Sequence, residues 1–221
     1  MAASFSNLQI RSDDHIAVKN ALTTLEIFPA FVSKSENDWV SVFPFATESQ
    51  SEDESGELCR RLSAVLQSAV FVFKVRESDV FSYQLAVHGE LVDSFNSWPG
   101  YPHSEANLTL GGKADCVLPF CIAGTTCDAI DKVLLSGGKG LDSGLTAGAG
   151  LGSIKNQMVN AAPWWAKPFV WSGMTLMALW KKDQAADDAV IWRAIRLATA
   201  FATLLDVVPE RMNSGYVQIK D

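Results

Sequence analysis

Histidine is scarce in this chain, with only His15, His88 and His103 in 221 residues. They fall at a helix start, a hairpin tip and a loop. None is accompanied by a Ser or Cys nucleophile in a strand–turn–helix elbow, so a nucleophile–histidine triad has no support and solvated surface histidines are the simpler reading. Charge is sparse as well, at 19%, and it leans acidic, with a formal net charge of −7. That balance excludes the broad basic face that a phosphate backbone needs. Arg60-Arg61 and Lys181-Lys182 are only dipeptides. Residues 1–20 lack a charged start followed by an apolar run and carry Asp13 and Asp14, so no signal peptide is expected.

Cysteine is limited to Cys59, Cys116, Cys121 and Cys127, and the spacing of the last three matches no zinc-ligand pattern. Free thiols in a reducing cytosol are the expectation, with no metal and no cofactor. A long unbroken apolar run is also missing. Residues 163–180 come closest, but Pro163, Lys167, Pro168 and Gly173 interrupt them, whereas a spanning helix needs about 20 predominantly apolar residues. Trp164, Trp165, Trp171 and Trp180 in that stretch suit core packing in two short strands turning at Ser172-Gly173, an interfacial belt, or a partner-binding patch. Trp164 and Trp165, flanked by prolines, are expected to be partly exposed, as interface anchors often are.

What is present is an ordinary globular composition, 48% hydrophobic. The chain is long enough to bury a real core. The pattern predicts a strand at 5–10, a helix at 14–25 capped by Ser12 or Asp13 with Ile16, Ala21, Leu22 and Leu25 inward, and strands near 28–32 and 39–43. An acidic connection at 47–56 leads into a helix with Leu58, Leu62, Val65 and Leu66 at helical spacing. Ala69–Phe73 reads as a strand covered on both faces. Strands 80–87 and 91–94 flank His88-Gly89, a two-residue turn in which Gly supplies positive φ. With Ala86 facing Leu91, continuous pairing puts Leu85 opposite Val92, Ser82 opposite Phe95 and Phe81 opposite Asn96, in a central hairpin rather than an edge. Thr125 or Thr126 caps a helix to about Leu135, a last helix spans roughly 187–206 with Val190, Ile191, Ile195, Ala198, Ala202 and Leu205 inward, and 216–219 forms a short strand. The alternation predicts α+β, a mostly antiparallel sheet with two to four helices packed against it. Residues 1–135 form the core with its central hairpin, 136–153 a Gly-rich loop or boundary, and 154–221 the Trp-rich segment and final helix, within the same or a second small subdomain.

The seven glycines of 136–153 do not make a phosphate loop. Such a loop needs Gly-Lys-Ser/Thr, but Lys139 precedes Gly140 and position 133 is Val. Gly148-Ala149-Gly150 begins a dinucleotide-like pattern, but the third glycine position is Ser153 and no apolar strand precedes it. The sharpest candidate lies at the hairpin end. Asp79 shares parity with Phe81 and Tyr83, and the pairing above places it near Asn96, Ser97 and Trp98, sending Asp93 to the other face near Gln84. An aspartate, an amide and an aromatic there, with Tyr101 in the following loop, suit a polar ligand or a partner's backbone. Asp and Asn also cap turns through local amides, which accounts for Asn96-Ser97 before Pro99-Gly100 without any site.

Ser78-Asp79-Val80, Tyr83-Gln84-Leu85, His88-Gly89-Glu90-Leu91-Val92-Asp93, Asn96-Ser97 and Pro99-Gly100-Tyr101 resemble the core of a group of uncharacterised bacterial α/β proteins. Leu118-Pro119, Gly124-Thr125-Thr126 and Gly215-Tyr216 look similar too. The resemblance covers roughly 4–135 and 187–219 and has no counterpart for 136–182. It implies a bacterial intracellular α/β protein and brings no catalytic residue with it.

The resulting expectation is a non-enzymatic, cytoplasmic protein-binding module of the immunity, antitoxin or defence-accessory kind. Its partner is another protein, basic in charge, met through Asp79, Asn96, Ser97, Trp98, Tyr101, Trp164 and Trp165. Nucleic acid and a membrane surface are not the expected partners. The alternative is a small-molecule-binding protein or enzyme with its site at the Asp79/Asn96 end and the Gly-rich loop as a lid.

Overall fold

A computed structural model describes residues 4–48, 51–99, 110–136 and 193–212. Six strands pair in a sheet: β1 (Phe5–Arg11), β2 (Ala30–Val32), β3 (Trp39–Pro44), β4 (Ala69–Arg76), β5 (Val80–Val87) and β6 (Glu90–Asn96). Their order is β2-β3-β1-β4-β5-β6, and all neighbours run antiparallel. The helices are α1 (His15–Thr24), α2 (Glu52–Leu66), α3 (Ala114–Val117), α4 (Cys127–Ser136), α5 (Arg193–Leu204) and α6 (Pro209–Met212). The α+β class stands as expected. The helices exceed the predicted two to four because α3 and α6 are single four-residue turns, too short for a periodic signal.

Strand alternation sorts the core into two. On one face Leu8, Ile10, Val40, Val42, Val70, Val72 and Ala86 pack under α1 and α2, through Val18, Ala21, Leu22, Leu58, Cys59 and Leu62. On the other, the aromatics of β4, β5 and β6 pack under α3, α4 and α5. Phe201 of α5 is the hub of that face. It stacks on Tyr83 with ring centroids 4.9 Å apart and planes at 15°. It meets Phe71, Phe73 and Phe81 at 6.2, 5.9 and 5.9 Å in tilted or edge geometry. These are the arrangements that aromatic quadrupoles favour. The inward stripe of α5 is therefore Ala194, Leu197, Ala198, Phe201, Ala202 and Leu205. Ile195, expected inward, is only partly buried, and Val190 and Ile191 lie outside the described residues.

Local chemistry sets the helix ends. Asp14, not Ser12 or Asp13, caps α1, its Oδ1 accepting from the amides of Ile16 at 2.8 Å and Ala17 at 3.1 Å. Ile16, expected inward, is exposed and Val18 is buried, because at 3.6 residues per turn Val18 and not Ile16 shares the face of Ala21 and Leu22. Ser51 caps α2, and Glu52, Asp53 and Glu54 complement the positive end of its dipole. Cys59 takes the buried position expected of Val65, which is exposed. Burial pushes the Cys59 thiol up to about 12, so it stays protonated and acts as a small apolar group.

The hairpin turn forms where the sequence predicts it, with His88 and Gly89 both at positive φ, 51° and 89°, in the type I′ manner. A Cβ on Gly89 would meet the Ala64 methyl at 3.0 Å, and the Gly89 amide donates to Ser63 Oγ at 3.1 Å, which docks the turn on α2. Among the described residues the hairpin is not central, however, because β6 is the last strand in the order. Its outer edge is still covered past Val92, by a strap at 110–112. The Asn96 amide donates to the Leu110 carbonyl at 2.8 Å, and the Gly112 amide to the Ser94 carbonyl at 2.7 Å. Gly111 and Gly112 have φ of 68° and 81°. A Cβ on Gly111 would overlap the Ser94 carbonyl oxygen, so the strap approaches this closely only as glycine.

Candidate functional site

The register between β5 and β6 slips by one at a bulge between Leu85 and Ala86, with Val92 as the extra residue. Ala86 faces Leu91 as expected, but Leu85 then faces Asp93, Tyr83 faces Phe95 and Ser82 faces Asn96. One residue of slip exchanges the faces of everything beyond it. Asp93 therefore lies on the aromatic face and Asn96 on the face of α2, the reverse of the predicted geometry. The Leu91-Val92 doublet, which breaks the alternation just before Asp93 and Phe95, is the sequence signal of that bulge.

The predicted residues are consequently divided. Asn96 Oδ1 accepts from the Trp98 amide at 2.9 Å, a local turn cap. Ser97 is buried and bonds Phe81 twice: its amide donates to the Phe81 carbonyl at 2.8 Å, and its Oγ accepts from the Phe81 amide at 2.9 Å. Trp98 and Asp79 are half-buried, and the Asp79 amide donates to the Arg76 carbonyl at 3.0 Å. Tyr101, Trp164 and Trp165 lie outside the described residues, as does His103. Asp93 instead accepts from the buried Tyr83 hydroxyl at 2.7 Å and from the Lys113 amide at 3.0 Å, pinning the strap to the sheet. Burial, with the Asp93 carboxylate second, raises the Tyr83 phenol. Half-buried Cys121 is pushed up to about 12, chiefly by burial. A thiol held protonated is a poor nucleophile.

A different group of polar residues comes together at the end of the sheet where β3, β4 and β6 finish. On the face of α2, Ser6 of β1, Lys74 of β4, Ser82 of β5 and Asn96 of β6 form one continuous cross-strand row. Ser6, Lys74 and Ser82 are buried. The first turn of α2 lies over the row. Lys74 Nζ donates to the Ser51 carbonyl at 2.9 Å and stands 3.5 Å from Glu52 Oε2. Gln84 Nε2 donates to the Glu52 carbonyl at 3.2 Å, and Gln84 Oε1 accepts from Ser55 Oγ at 3.2 Å. Gly56 permits this closeness, since a Cβ there would stand 3.1 Å from the Gln84 amide nitrogen. Burial holds the Lys74 ammonium below its ordinary range, with Glu52 pulling the other way. Lys74 is easily missed in the sequence because it extends an apolar run. Its only signal there is a lysine between Phe73 and Val75, inside a strand covered on both faces.

Two exposed aromatics mark the same end of the sheet. Phe28, 63% exposed, precedes Pro29, and Phe45, 56% exposed, donates its amide to the Pro29 carbonyl at 2.9 Å. Exposed Glu26 and half-buried Glu48 neighbour them in the chain, and the acidic first turn of α2 follows.

The described residues thus define a layered protein, an antiparallel sheet with helices on both faces. No protein-family model, curated protein or solved structure matches the chain, so the resemblance carried by the hairpin motif assigns no role to any residue. Among the described residues no helix is long and apolar enough to cross a membrane, and no three His, Cys, Asp or Glu side chains gather as a metal site.

Proposed function

We propose that the chain is a non-enzymatic protein-binding module of a bacterial cytosol, of the immunity or antitoxin kind, that receives a basic partner protein at the Phe28/Phe45 end of its sheet. The observation that carries this reading is the pair of exposed phenylalanines set among Glu26, Glu48 and the Glu52–Glu54 turn. Large apolar groups held in water are interface anchors, and an acidic surround attracts a cationic partner and repels acidic ones. The formal charge of −7 acts in the same direction over longer range. Trp98, half-buried at this end of β6, and Tyr101, Trp164 and Trp165 are further candidates for the contact; Asn96 and Ser97 make local bonds of their own. Purification of the native chain from its own cells is expected to yield a stoichiometric basic protein, released by salt and lost from the double variant F28A/F45A. Purification without such a partner, or a partner that the double variant retains, overturns the reading. The alternative, a small-molecule site at the Asp79/Asn96 end, draws on a separate observation: Asn96 shares its row with a buried lysine.

A further inference from the structure

We propose that the Ser6–Lys74–Ser82–Asn96 row is a binding site for a small carboxylate, whose place the side chain of Glu52 takes in the structure described. The donor set is the first argument. One ammonium, two hydroxyls and one carboxamide stand side by side on four adjacent strands, and no carboxylate belongs to the row itself. The Asn96 oxygen is taken by the Trp98 amide, which leaves the amide nitrogen, a donor, for any acceptor in the row. A carboxylate offers about four acceptor positions to such a set.

Glu52 supplies the second argument. Its side chain is 53% exposed while that of Lys74 is 4% exposed, so this carboxylate reaches the buried ammonium from solvent and traces a path by which another can arrive. The separation of 3.5 Å is longer than a well-formed charge-assisted bond. Glu52 is fixed at the first position of α2, whereas an untethered carboxylate is free to close that gap.

Ser6 supplies the third. Its Oγ is buried and has no hydrogen-bond partner, although it stands in register beside Lys74. A hydroxyl in that state loses the free energy of its solvation, and native structures rarely leave one so without a ligand or water to complete it. A free carboxylate in the place of Glu52 would keep the ammonium paired and also give Ser6 an acceptor.

Acetate titrated at constant ionic strength, followed through the backbone amide NMR signals of Ser51–Ser55, tests this directly. Saturable binding is expected in the wild type. E52Q, which removes the tethered competitor from a half-exposed position, is expected to bind about tenfold more tightly, a difference of about 1.4 kcal/mol. S6A should bind severalfold more weakly, and K74M should show no saturable binding. An E52Q variant no tighter than wild type overturns the proposal, as does saturable binding retained in K74M. The E52Q comparison does not require that K74M fold. Phe28 and Phe45 lie outside the row, so F28A/F45A is expected to bind acetate as the wild type does.

Discussion

Strand β1 carries two polar groups on opposite faces of one sheet, and they end very differently. On the aromatic face, Asn7 and Gln9 join Ser41 of β3 in a closed chain: Ser41 Oγ donates to Gln9 Oε1 at 2.7 Å, and Gln9 Nε2 donates to Asn7 Oδ1 at 2.9 Å. All three are buried beside Phe71 and Phe73, and the chain continues outward as the Ser41 amide donates to Ser33 Oγ at 2.9 Å. On the α2 face, Ser6 Oγ has no partner, while the buried ammonium beside it bonds the Ser51 carbonyl at 2.9 Å and stands 3.5 Å from half-exposed Glu52. Burial is the same in both places; satisfaction is not. A fully paired buried network rigidifies a core, while an incomplete one costs stability unless something else completes it. The first polar group therefore reads as architecture. The second reads as a place for a ligand, which is why the carboxylate site is assigned there.

The sharpest way to break this comparison is to cut the closed chain. Gln9→Leu removes both side-chain bonds of Gln9 and strands the buried Ser41 hydroxyl, and at roughly 1–3 kcal/mol for a buried group left unpaired, a loss of about 2 kcal/mol is expected by urea denaturation. A loss below about 1 kcal/mol would mean that the chain relaxes and is not the rigid element described. A matched pair of serine truncations then measures the difference between the faces. Ser41→Ala should cost about 1–2 kcal/mol, because Gln9 loses its donor. Ser6→Ala, made at equal burial, removes a hydroxyl that bonds to nothing and should be neutral within about 0.5 kcal/mol or slightly stabilising. Equal costs at the two positions would erase the distinction.

Much of this fold is written locally. The His88-Gly89 turn, the apolar runs of β4 and β5, and the places of α2 and α4 follow from spacing and turn chemistry over a few residues, although Cys59 rather than Val65 completes the buried face of α2. What escaped is non-local. The bulge at Val92 depends on which of two registers buries Phe95 against Tyr83 and Asp93 against the Tyr83 hydroxyl, a choice made between strands. Its consequence is large, since it moves Asn96 away from the face of Phe81 and into the row of Lys74. The polar half of β1 looks like a solvent face because alternation alone cannot tell water from a second layer of helices. Phe201 is legible as an aromatic in a helix but not as the hub of four rings contributed by β4 and β5.

The smallest effect, and the most specific to the open row, lies in its dependence on pH. Lys74 has a folded-state pKa below its ordinary value of 10.5, through burial first and then the nearby Arg76 charge, with Glu52 and Asp53 opposing. Below the lowered value the ammonium is present in both folded and unfolded chains, and its burial weighs against the fold. Between that value and 10.5 the unfolded chain holds the proton more tightly, so stability rises with pH across the window. Cys59 and Cys121, both pushed from 9.0 up to about 12, act in the opposite sense above 9.0, because the unfolded chain then ionises first. The lysine contribution is therefore read as a difference between proteins and not from one curve. The stability of wild type relative to Lys74→Met is expected to climb as pH approaches 10.5 from below. Acetate, by favouring the charged form in the fold, should flatten that climb. Parallel curves for the two proteins would show that the ammonium is as well solvated folded as unfolded, and the contrast between the two polar groups of β1 would then rest on Ser6 alone.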